Sequence, residues 1–253
     1  MKNLIGRLAG ALLALMFAAP LAQAQSKITV AVGGGACLCY LPTVLAKQLG
    51  EFDKAGVEVE LINFKGGSQA LQAVIGVGLG ATAVAAMEQG QIDAAVMLDP
   101  SVTVLQGSHK DLRILSDTRT QKDTLETFGG EYPGGALYST VAWINGHEKE
   151  TQALTNAILA TLSWIHSHSA EDIMAKMPEE MVGKDKAQYL AALKNTIPMY
   201  SETGKMDPKG ADAVLAVFSE GSPEVAKANV DVAKTFTNKY VEQAKKTTGM
   251  NAK

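Results

Sequence analysis

Ser26-Lys27-Ile28-Thr29-Val30-Ala31-Val32-Gly33-Gly34-Gly35, continuing through Ala36-Cys37-Leu38-Cys39-Tyr40-Leu41, is the stretch on which the fold turns. Ile28 to Val32 is rich in β-branched residues and runs into three glycines. Leu41, Val44, Leu45 and Leu49 then recur at helical spacing as far as Gly50. The predicted order is strand, glycine turn, helix.

The same order recurs downstream. Val57, Val59 and Leu61 alternate with Glu58 and Glu60, the period of two of a strand, and Gly66-Gly67-Ser68 then opens a helical stretch from Gln69 to Ile75. A third unit starts at Gly80-Ala81-Thr82, runs as a helix through Met87 and stops at Gly90. Ile92 to Leu98 reads as a buried strand ending at Asp99-Pro100, Leu112 to Leu115 as a short strand, and Ala136 to Trp143 as the last one. The remainder reads as helical: Leu154, Ile158, Leu162 and Ile165 form an apolar stripe, Ser169 and Asp172 a capping box before a helix that ends near Pro178, and Ala211 to Phe218 a short helix. Lys245 to Lys253 is expected to be disordered. Alternating strands and helices predict an α/β sheet with right-handed crossovers, whose ligands sit beyond the carboxyl ends of the strands, where the glycine turns lie.

The chain of 253 residues begins with an export pattern: Lys2 and Arg7, an apolar run from Leu8 to Ala19, and a small-residue cleavage site at Ala22-Gln23-Ala24. Residues 1–24 therefore read as a signal peptide and Gln25 as the first mature residue, which places the protein in the periplasm. Loss of Lys2 and Arg7 leaves 21 basic against 26 acidic side chains, a formal charge of −5. Such a balance argues against a nucleic-acid partner. Cys37 and Cys39, two positions apart, read as unbonded thiols, because a disulfide needs converging Cβ vectors.

Three segments together resemble a known family. They are Ala36-Cys37-Leu38-Cys39-Tyr40-Leu41-Pro42 after the first strand, Lys65-Gly66-Gly67-Ser68-Gln69-Ala70-Leu71 after the second, and Gly80-Ala81-Thr82-Ala83 through Glu88-Gln89-Gly90-Gln91-Ile92-Asp93-Ala94-Ala95. In this order they resemble the periplasmic binding proteins of nitrate, sulfonate and taurine importers, also described as the NMT1/THI5-like group. The resemblance implies a type II periplasmic binding fold of two α/β lobes, a ligand held in the cleft between them, and delivery to an ABC permease. The sequence departs from that pattern where Gln72-Ala73-Val74-Ile75-Gly76 runs straight into Val77-Gly78-Leu79-Gly80. A strand, a crossover and the opening of the second lobe are missing there. The expected division is lobe I from residues 25–75 and 120–253, and a reduced lobe II from 76–119.

The turns carry the binding chemistry. A helix that begins at Gly66-Gly67-Ser68 offers unpaired N–H groups and a favourable dipole to an anion, with Ser68 either adding a donor or capping its own helix, and Gln69 following it. Thr82 permits the same argument. Cys37, Leu38, Cys39 and Tyr40 are placed at the cleft wall by their position after the first strand, or pack as small apolar residues at a helix start. Asp99 either accepts hydrogen bonds from a ligand amine or organises the turn that follows it. His166 and His168 alternate as metal ligands do, yet they end an amphipathic helix whose dipole favours them without a metal. No Gly-x-Ser-x-Gly elbow or Walker loop is present. The reading is a monomeric, non-enzymatic binding protein for a small anionic solute, with no cofactor and no metal. Two alternatives stand beside it: a THI5-like pyrimidine-related enzyme, whose cysteine-rich motif the two cysteines do not reproduce, and a degenerate relative that folds without binding. Gly67→Asp is expected to abolish anion binding and leave the fold intact; titration calorimetry that finds affinity unchanged would remove the cradle.

Overall fold

β-branched side chains at alternate positions put two segments into strands that share one buried face. In a computed structural model, which describes residues 25–32, 38–63, 81–91, 94 and 97–248, β1 (Ser26–Val32) pairs in parallel with β2 (Val57–Asn63), Ser26 opposite Val57 and Val32 opposite Asn63. Ile28, Val57 and Val59 face the core. On the solvent face Lys27 and Glu60 form an ion pair at 3.2 Å. The connection passes through a 3-10 turn, Leu38–Tyr40, and α1 (Leu41–Gln48), which has proline in its first turn. Gly50 follows with a left-handed φ of +68°, ending α1 as the sequence predicts.

Two short helices come next in the described chain, α2 (Ala81–Glu88) and α3 (Ser101–Ser108), followed by α4 (Gln121–Phe128) and α5 (Val141–Gly146). Among the described residues α6 (Glu148–Ser167) is the longest helix, at 20 residues. Its predicted stripe is in place, with Leu154, Leu162 and Ile165 buried and Ile158 packed beside them. α7 (Ala170–Lys176) opens with the Ser169–Asp172 capping box, in which each residue's side chain meets the other's backbone N–H. α8 (Lys186–Thr196), α9 (Pro208–Gly221) and α10 (Lys239–Thr248) follow, with short helical turns at Glu179–Val182 before α8 and Pro223–Lys227 before α10.

Three apolar clusters share α6. Its N-terminal half lies over the sheet, where Ala153, Leu154 and Ala157 meet Ile28, Val57, Val59 and Phe52. Ile165 near its other end joins Leu41, Leu45, Ile173 and Leu193 from α1, α7 and α8. Leu159 and Leu162 meet Val241 and Ala244 of α10.

Several expected elements take another form. Leu112 to Leu115 is not a strand, and Leu115 is 88% exposed. Of the strand expected over Ile92 to Leu98, Ala94, Met97 and Leu98 are described and none is in a strand. Ala136 to Thr140 is irregular, and Val141 starts α5 because the Thr140 hydroxyl accepts from Trp143 N–H, an N-cap that the strand reading overlooked. Apolar residues in an extended chain need a neighbouring strand to become one, and among the described residues only β1 and β2 pair. The C-terminal end is helical to Thr248 rather than disordered from Lys245. Among the described residues no helix is long and apolar enough to cross a membrane. Ile165 is fully buried where α1, α7 and α8 converge, so Ile165→Ala should cost roughly 2–5 kcal/mol in urea unfolding, whereas an equivalent truncation at exposed Leu115 should stay within about 0.5.

Candidate functional site

Asp99-Pro100-Ser101-Val102-Thr103 builds the polar end of the site, just ahead of α3. Asp99 Oδ1 accepts from the Thr103 N–H at 3.1 Å and from its hydroxyl at 2.6 Å, the chemistry of a capping carboxylate. Asp99 is 7% exposed. Its second oxygen, Oδ2, is buried without a hydrogen-bond donor, and Arg119 Nη1 stands 3.5 Å from it as an ion-pair partner. The turn-organising reading of Asp99 therefore accounts for Oδ1 and leaves Oδ2 unexplained.

Arg119 is held from its other side. Nε donates to Asp117 Oδ1 and Oδ2 at 2.9 and 3.1 Å, Nη2 donates to Oδ2 at 2.5 Å, and Nη1 donates to Gln106 Oε1 at 3.2 Å. This fork-on-fork geometry is the strong form of a guanidinium–carboxylate pair. The Asn195 side-chain amide of α8 donates to the Thr103 hydroxyl at 3.1 Å, tying α3 to the helical half.

Tyr200 joins this end to the 3-10 turn that follows β1. Its hydroxyl donates to the Leu38 carbonyl at 2.5 Å, across 162 positions of sequence. Deep burial, then the neighbouring Tyr189 and Asp99, push its phenol well above the ordinary value. Tyr189 on α8 is also buried, which raises it to about 12, and its hydroxyl has no partner. Both phenols therefore stay neutral at physiological pH and act as dipoles.

Of the residues expected to contact ligand, Leu38 accepts from Tyr200, whose phenol lies within electrostatic reach of Asp99. Leu38 is buried and offers its carbonyl, while Cys39 is exposed and Tyr40 half-buried on the same turn. The expectation of two unbonded thiols is corrected: Cys39 is disulfide-bonded, and Cys37 is the one other cysteine in the sequence. Thr82 is the second residue of α2. Cys37, Gly66, Gly67, Ser68 and Gln69 lie outside the described residues.

Thr103, Arg119, Tyr189 and Tyr200 were missed. The Asp99-x-x-x-Thr103 spacing could have marked a helix start, but nothing local to Tyr200 or Arg119 announces a partner so far away. His166 Nε2 meets the Tyr200 carbonyl at 3.0 Å, and His168 Nδ1 meets the Trp164 carbonyl at 2.8 Å with its ring stacked on the indole at 3.9 Å. Among the described residues no group of three or more His, Cys, Asp or Glu is placed to hold a metal. A groove of about 560 Å³ runs along β2 between Lys27, Lys47, Glu58 and Pro178. It includes none of the residues expected to bind, and its rim charges are already paired in part by Lys27 and Glu60; the convergence at Asp99 is the better candidate because buried unpaired groups point to a ligand and solvated rim charges do not.

The hydrogen bond from Arg119, more than its charge, holds the Asp117 carboxyl below its ordinary value of 3.8. A lowered folded-state pKa stabilises the protein above the unfolded value, and that stabilisation is lost as pH falls through the folded one. Asp117→Asn should therefore lower the melting temperature at neutral pH and flatten its fall below about pH 4; parallel melting curves across that range would show that the pair contributes nothing.

Residues 23–122 match the NMT1-like family. A solved structure of a protein from Bordetella bronchiseptica RB50 is similar at 29% identity and a TM-score of 0.79, over 88% of this chain and 98% of that one. No curated protein matches the chain. The chain is thus similar to the NMT1-like family over the stretch that carries every residue from Cys37 to Asp99 expected to bind, and shares its fold with the Bordetella protein over nearly the whole of that chain.

Proposed function

We propose that the protein is an extracytoplasmic solute-binding protein, which captures a small molecule in the periplasm and delivers it to the permease of an ABC importer. The observation that carries this reading is the NMT1-like match over residues 23–122, which spans every residue expected from the sequence to bind, Cys37 to Asp99, but not Tyr189, Asn195 or Tyr200. Three further features support it. The first 24 residues have the pattern of a cleaved leader. The first turn, α3 and α8 converge on buried polar groups at Leu38, Asp99 and Tyr200. The described side chains of the site supply dipoles and charges suited to orienting a ligand. In this reading residues 25–75 and 120–253 form one lobe and 76–119 a reduced second one, the protein acts as a monomer, and the solute is a small organic or inorganic anion such as a sulfonate or nitrate.

A thermal-shift screen of the mature protein against sulfonates, nitrate, bicarbonate, dicarboxylates and thiamine pyrimidines tests the role. A solute at 100 times its dissociation constant should stabilise the fold by about 2.7 kcal/mol. A cooperative transition unmoved by every compound would favour the degenerate, non-binding relative.

A further inference from the structure

We propose that the solute presents an N–H-bearing nitrogen, charged or neutral, to Asp99 Oδ2, so that the site selects amino-bearing solutes over their amine-free counterparts. This rests on the capture reading above and narrows its substrate class.

The argument starts from the carboxylate. An ionised Asp can accept about four hydrogen bonds, and Asp99, 7% exposed, receives two, both from Thr103 and both on Oδ1. Those two suffice for capping, which Asn or Ser would do as well. The part that needs an aspartate is Oδ2, and that atom has no donor. Arg119 meets it only at ion-pair distance: its Nε and Nη2 donate to Asp117, one Nη1 hydrogen goes to Gln106, and Nη1 stands 3.5 Å from Oδ2, too far for a good hydrogen bond. Buried acceptors of this kind are matched in native proteins by protein, water or ligand.

Charge decides what kind of group completes it. Asp99 and Asp117 flank the single guanidinium of Arg119, so this trio carries a net negative charge. An anionic group brought to Oδ2 meets repulsion in a low-dielectric setting, and a nitrogen with a proton to donate meets attraction. Tyr189 adds a second buried, unpartnered polar atom. Tyr200 lies within electrostatic reach of both Tyr189 and Asp99, and its own hydroxyl is already spent on the Leu38 carbonyl. Two unfilled polar atoms thus lie within electrostatic reach of one occupied phenol, where the first turn, α3 and α8 meet. Recognition built on hydrogen bonding to one substrate group discriminates strongly against the analogue lacking it, because the buried polar atoms are then left unpaired.

Calorimetry with matched pairs tests this on the full mature protein: taurine against ethanesulfonate, γ-aminobutyrate against butyrate, and 4-aminopyrimidine against pyrimidine. The expected result is binding by at least one amino member, with its amine-free partner at least tenfold weaker. Asp99→Asn keeps an acceptor for Thr103 and should erase that preference; if this variant does not fold, Tyr189→Phe, which removes only an unpartnered hydroxyl, should weaken the amino ligand at least threefold. Equal binding within every pair, or a preference that survives Asp99→Asn intact, overturns the proposal and leaves capture standing. If no member of any pair binds while the screen above finds another solute, amine selection alone fails; if neither finds a ligand, both readings fail.

Discussion

A helix buried on three sides sets the terms for everything else in this molecule. α6 has to satisfy the sheet, the α1–α7–α8 cluster and α10 at once, and Ala153, Ala157, Leu162 and Ile165 are the residues it offers to them. Thr161 is fully buried in the middle of this helix and is tolerated because its hydroxyl donates to the Ala157 carbonyl one turn back, at 2.9 Å. The two-stranded sheet depends on this cover. A pair of strands is marginal alone, and Ile28, Val57 and Val59 escape water because α6 and Phe52 lie against them.

The same scaffold explains why the polar site is where it is. α6 and α7 fix α8, and α8 with the chain just beyond it brings Tyr189, Asn195 and Tyr200 to the first turn and to α3. The groups at this seam differ in weight. The Arg119–Asp117 pair has good geometry but is partly solvated, so its contribution is of the order of 1 kcal/mol or less. Asp99 is the more consequential residue, because its carboxylate is almost wholly out of water and any group that leaves it unmatched is penalised in full.

What could be read from the sequence is what local signals encode. β1, β2 and α1 follow from alternation and helical spacing ended by glycine, and the Ser169–Asp172 box from two side chains three positions apart. Leu112 to Leu115 and Ala136 to Trp143 carry the same apolar pattern, yet a strand exists only through its neighbour. The Thr140 cap outweighed β-propensity in the second case. The site was legible to the extent that it is local: Leu38 and Asp99 stand at element ends, where sequence punctuation marks them. Tyr200 is invisible in the same terms, since its role lies in one hydrogen bond to a carbonyl far along the chain.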